Sequence, residues 1–287
     1  MKKILLVIFC LGLGTVSAWA EETAPASTPA KKGFGVSISP SLIRLTGKPG
    51  QAQNATVRVS NNGVSSTQVI TDMSDVGNAV DKEGRLTRQF PPAGTTPFSC
   101  AKWTLLRDSE FTLAPKAFKD VTFIISPPAD SVGGSACVVF FRGIPPPEDS
   151  ASGSQEYAKA TIQIQPRLGA MVFYEIEGTV QRTAKLLNIS SEPPTANTPL
   201  KIHYAFKNTG NTDVLITGTF YILDSSKTLV TKGDLKTIRM FPGDEGSSET
   251  ESAATTLSSG KYQLVVSFEL GPNAREVIVK ELEFSIP

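Results

Sequence analysis

The chain has 287 residues, 40% of them hydrophobic and 19% charged, with 28 lysines and arginines against 27 aspartates and glutamates. That length and balance fit a globular protein of two domains. They exclude disorder throughout and offer no basic stripe for nucleic acid.

Residues 1–20 carry the three parts of a cleaved secretory signal: Lys2 and Lys3, an apolar run from Ile4 to Leu13, and Ala18-Trp19-Ala20 as a small-x-small cleavage site. The run is shorter than the ~20 residues of a spanning helix. The mature protein is therefore expected to begin near Glu21, outside the cytoplasm and without a membrane span, carrying 26 basic and 27 acidic residues. Residues 21–34 are polar, small and proline-bearing, and read as a flexible leader.

From residue 35 the pattern is short strands separated by turn residues. Val36 to Leu45, Ala55 to Ser60 and Thr67 to Asp72 come first. Residues 73–99 are weakly patterned, with Pro91-Pro92 and Gly94 through Pro97 marking an irregular crossing. Strands follow from Ala101, over Ala117 to Ser126, over Ala136 to Phe141 and over Ala160 to Tyr174. A second set covers Thr179 to Ile189, Leu200 to Asn208, Val214 to Leu223, Leu235 to Phe241, Lys261 to Leu270 and Glu276 to Ile286. No stretch has the spacing of a long amphipathic helix. The expected fold is all-β, two immunoglobulin-like sandwiches over residues 35–178 and 179–287.

Signal cleavage would leave two cysteines, Cys100 and Cys137. In an oxidising compartment thiols tend to pair, and a bridge here would remove roughly 4 kcal/mol of unfolded-state entropy; two buried free thiols are the alternative. In the last strand of the first set, Ala160, Ile162 and Ile164 alternate with Thr161, Gln163 and Gln165. One face is thus apolar, and it packs either under its own sandwich or against a partner.

Chemistry-bearing motifs are sparse. His203, the one histidine, alternates with Ile202 and Tyr204 in a strand and has no second histidine for a triad or metal site. There is no CxxC, GxSxG, P-loop or GxGxxG. Asp244-Glu245 and Glu249 to Glu251 read as a solvated acidic loop, because they lack the alternating spacing of a calcium loop. A non-enzymatic protein without a cofactor or metal is expected.

Four pieces in order then point to a family: Arg44 with "KPGQ" downstream, "VRVSNN" at 57–62, "WTLLRDSEFTLAPKAFKDVTF" at 103–123, and "FFRGIPPPE" followed by a long polar loop and a strand ending in "VFY". Together they resemble the N-terminal domain of the PapD-like periplasmic pilus chaperones of the chaperone–usher pathway, over roughly Gly35 to Ile176. The second half looks like a generic bacterial immunoglobulin-like module.

The resemblance implies that the chain binds a pilus or fibre subunit, with an outer-membrane usher as a further candidate partner. Ala160, Ile162 and Ile164 would be donor positions that fill the subunit's incomplete sheet. Arg44 would hold the subunit's terminal carboxylate. The family's partner lysine falls on Met171 here, and Arg167 lies four residues earlier, about 13 Å along a strand. The alternative function is a structural or adhesive envelope protein that assembles through sheet edges.

Overall fold

The first expected strand, Val36 to Leu45, divides in two. The computed structural model, which describes residues 35–144, 165–195, 198–252, 257–271 and 277–287, has β1 at Val36–Ser39 and β2 at Leu42–Gly47. Between them stands Pro40, which has no N–H to continue a ladder. The two pieces join different sheets.

The first sandwich continues with β3 (Gln53–Asn61), β4 (Thr67–Asp75), β5 (Gly77–Val80), β6 (Leu86–Gln89), β7 (Thr104–Leu106), β8 (Glu110–Leu113), β9 (Phe118–Ile125), β10 (Gly134–Ile144) and β11 (Arg167–Ile176). One sheet has the order β1-β3-β9-β7 and the other β2-β11-β10-β4-β8, with β5 and β6 forming a separate hairpin. Alternation in β3 turns Ala55, Val57 and Val59 inward, where they meet Val121, Phe123 and Ile125 of β9. Val69, Val139, Phe141, Val172 and Tyr174 close this core from the facing sheet. Cys100 and Cys137 lie within it, their Cα atoms 5.3 Å apart, a separation that a disulfide spans.

β10 is apolar without alternation because both its faces are covered. Cys137, Val139 and Phe141 face the core, while Phe140 on the other face meets Phe90 edge-on at 5.1 Å. The expected strand from Ala101 starts instead as a 3-10 turn, Ala101–Trp103, closed by the Trp103 N–H donating to the Cys100 carbonyl at 3.1 Å. The irregular crossing is organised by buried Asp75. Its carboxylate accepts from the Gly94 N–H (3.0 Å), the Thr96 N–H (2.6 Å), the Thr96 hydroxyl (2.9 Å) and the Ser99 hydroxyl. Burial alone would raise the Asp75 pKa, but these donors lower it overall.

The second sandwich comprises β12 (Ala184–Glu192), β13 (Lys201–Asn208), β14 (Val214–Asp224), β15 (Leu229–Asp234), β16 (Ile238–Met240), β17 (Glu245–Glu251), β18 (Gly260–Leu270) and β19 (Val277–Ile286). Its sheets are β12-β13-β17 and β15-β14-β18-β19, with β16 beside β14. Ile202, Tyr204 and Phe206 pack against Ile222, Leu264, Val266 and Phe268. The strand expected from Thr179 begins only at Ala184, after a turn in which the Thr179 N–H donates to the Ile176 carbonyl.

The acidic loop is a correction. Glu245–Glu251 is an edge strand, with Glu245, Glu249 and Glu251 opposite Lys207, His203 and Lys201 of β13. Lys201 and Lys207 pair across the ladder with Glu251 and Glu245, which lets so acidic a run lie as a strand.

Candidate functional site

β11 is paired along its whole length on one side only. Antiparallel β10 faces it from Arg167, opposite Arg142, to Glu175, opposite Gly134. On the other side β2 runs parallel and covers only Met171 to Ile176, opposite Leu42 to Gly47. The last bond on that side is the Met171 N–H donating to the Ser41 carbonyl at 2.9 Å. Upstream of Ser41 the chain leaves for the opposite sheet, where Ser39 pairs with Arg58. Among the described residues, Arg167 to Ala170 therefore has no strand on its outer side. Donors alternate along a strand, so the Gly169 N–H faces the same way as that of Met171, into the open edge.

The donor positions expected from sequence, Ala160, Ile162 and Ile164, lie outside the described residues. Two residues named with them, Arg44 and Arg167, are described, and the structure keeps them apart. Arg167 begins β11, stacks over the Phe140 ring at 3.5 Å, and pairs with Asp72 and, at 3.3 Å, the Ser74 hydroxyl. Gly169 makes room for that ring: a Cβ there would sit 2.9 Å from both Phe140 Cε1 and Val138 Cγ2.

Arg44 lies opposite Phe173, six positions further along β11 and roughly 20 Å from Arg167 by strand rise. Its Nη1 and Nη2 donate to the two carboxylate oxygens of Asp213, each at 3.0 Å, and Nη1 also pairs with Glu175. Burial alone would lower its pKa, but Asp213 and then Glu175 raise it overall. Met171 is on the same face of β11 as Phe173, opposite Leu42.

Sequence reasoning missed the rest of this cluster. Asp213, only 3% exposed, also pairs with Arg239. Arg182 donates from Nη2 to Glu175 and from Nε to the Asp213 carbonyl at 3.2 Å. Two guanidinium groups lie against the Phe173 ring, Arg44 4.6 Å and Arg239 4.8 Å from its centroid. Beside the charges is a small apolar cluster of Val76, Ala136, Phe173 and Phe241, with Phe98 stacked on Phe241 at 5.1 Å. The backbone closes the contact where the Gly134 N–H donates to the Asn211 carbonyl at 2.8 Å. Gly133 has φ +74°, and a Cβ there would meet the Asn211 carbonyl oxygen at 2.5 Å, so a side chain is excluded twice over. The signal available in sequence was charged residues inside or just before apolar strands, but spacing does not say which of them meet.

His203 stands between Glu192 and Glu249, 3.1 Å from each. Among the described residues no group of three or more histidine, cysteine or acidic side chains is placed to hold a metal. No helix among them is long and apolar enough to cross a membrane.

No protein-family model matches the chain, and neither does any curated protein sequence. Among solved structures it is similar to the class 5 fimbriae chaperone CfaA, at 13% identity and TM-score 0.45, over 88% of this chain and 100% of that one. It is similar also to the YadV chaperone, at 11% and 0.45 over 87% and 100%. A third is the periplasmic chaperone SfaE, at 13% and 0.40 over 88% and 100%.

Proposed function

We propose that this protein is a periplasmic chaperone of the pilus type, which caps a pilus or surface-fibre subunit by adding a strand to the subunit's incomplete sheet. The observation that carries the reading is the open edge of β11 at Arg167 to Ala170, which leads back toward Ala160, Ile162 and Ile164. A client strand laid along it gains main-chain hydrogen bonds, while alternate apolar side chains entering the client's groove set the register. Nothing in that exchange needs a cofactor or a chemical step, so the activity is non-enzymatic.

In this reading residues 1–20 are removed on export, the sandwiches divide at residues 178 and 179, and Cys100 and Cys137 are bridged. A client carboxylate at Arg44 would have to share its guanidinium with Asp213 and Glu175. Main-chain pairing has no such competitor and carries the affinity, with Arg44 as a secondary contact.

Purification of the tagged protein from periplasm tests the reading. The expected product is a one-to-one complex with a small subunit, lost when Ile162 and Ile164 are both replaced by serine. High-mass polymers of the protein itself would favour the structural or adhesive alternative.

A further inference from the structure

Away from the β11 edge, a cavity of about 430 Å³ is lined by the β5–β6 hairpin on one side and the second sandwich on the other. Its lining includes Arg85, Arg88, Lys236 and Arg239. The two glutamates that also line it are engaged elsewhere: Glu249 with His203 at 3.1 Å and Lys201 at 3.7 Å, and Glu251 with Lys201 at 3.4 Å. Arg85 is held by Asp81 and Glu83, and Arg239 by Asp213.

Arg88 is different. Its guanidinium lies over the Phe241 ring, 4.9 Å from the centroid, and its Nη1 is enclosed with no acceptor among the described residues. Burial and then the nearby Arg239 charge lower its pKa, with Asp244 and Asp213 opposing. Asp244 does not supply the missing acceptor. Its Oδ2 accepts from Asn78 at 2.6 Å and from the Phe241 N–H at 2.7 Å, and burial pushes its own pKa up. A half-buried cation without an acceptor, beside a second cation, is costly unless something neutralises it. Lys236, on the opposite wall, has no carboxylate partner among the described residues.

We propose that this cavity binds a small oxyanion, such as a carboxylate, sulfate or phosphate, with Arg88 as its principal contact and Lys236 as a second. Nη1 is enclosed, so the contact falls to Nε and Nη2, the other edge of arginine's planar fork, which suits a two-oxygen acceptor; charge-assisted bonds of this kind are about twice as strong as neutral ones. The volume holds such an ion with several waters, each of which takes about 30 Å³.

The test follows the Arg88 Nε–Hε resonance of the full ¹⁵N-labelled chain, assigned by its loss in Arg88→Lys, during titration with phosphate, sulfate or acetate against chloride at constant ionic strength. A saturable shift with at least one oxyanion is expected. Response to phosphate or sulfate alone would identify an inorganic ligand, and response to acetate a carboxylate. Calorimetry should show binding at least roughly tenfold weaker in Arg88→Gln, the loss of about one charge-assisted bond. Absence of saturation with all three anions, a result that needs no variant to fold, overturns the proposal. So does unchanged affinity in Arg88→Gln.

Discussion

Arg44 and Asp213, 169 residues apart in sequence, meet in a two-pronged ion pair that ties one sandwich to the other. The Asp213 carboxylate also holds Arg239, so two guanidinium groups depend on one buried acid. Asp213→Ala should therefore destabilise the protein by about 3–5 kcal/mol, the cost of leaving buried charge uncompensated. Arg44→Ala should cost less, because Asp213 keeps Arg239. Urea denaturation of the two variants checks the order, and equal losses would contradict it.

Asp75 makes stability depend on acid. Its folded pKa is lowered below the unfolded value of about 3.9, so its contribution is complete above that value and is lost as pH falls through the folded pKa. Asp75→Asn should flatten this acid limb and cost about 2–4 kcal/mol at neutral pH, through weakened bonds to Gly94, Thr96 and Ser99. The difference in unfolding free energy between the two proteins should then hold steady from pH 7 down to about 4 and shrink below that.

Cys100 and Cys137 enclose a sequence separation of 37 residues. Thiol titration of the denatured, unreduced mature protein should find no free thiol. Reduction should cost about 2–4 kcal/mol. Two titratable thiols would show that the pair is unbridged.

At the open edge, the Gly169 amide should exchange with deuterium much faster than that of Val172 in the free protein. It should become protected when a client strand pairs there. Ile162→Ser with Ile164→Ser should remove that protection with little loss of stability. A loss of roughly 2–5 kcal/mol per residue would mean instead that both side chains belong to this sandwich's own core.

The strands easiest to read in the sequence were those with one face in a core, such as β3 and β14, where alternation sets the pattern. β15 was not legible, because Leu229 and Val230 are both exposed and leave no period of two. The β5–β6 hairpin was missed for a related reason: Leu86 packs against the second sandwich, a partner that no local pattern announces. Arg44 and Arg167 were identifiable as candidates, but their acidic partners were not. Asp213 and Asp72 lie 169 and 95 residues away, and only the closed topology brings them close.

The parallel pairing of β2 with β11 has a mechanical consequence. The first sandwich is entered through β1 and left at the downstream end of β11, so tension along the chain, once β1 has parted from β3, pulls β2 and β11 in opposite directions. The bonds across the six facing positions from Leu42 to Gly47 are then loaded together in shear, and cannot be peeled one by one. The strand whose upstream half has an open edge is thus anchored by its downstream half in the geometry that best resists a pull along its own axis.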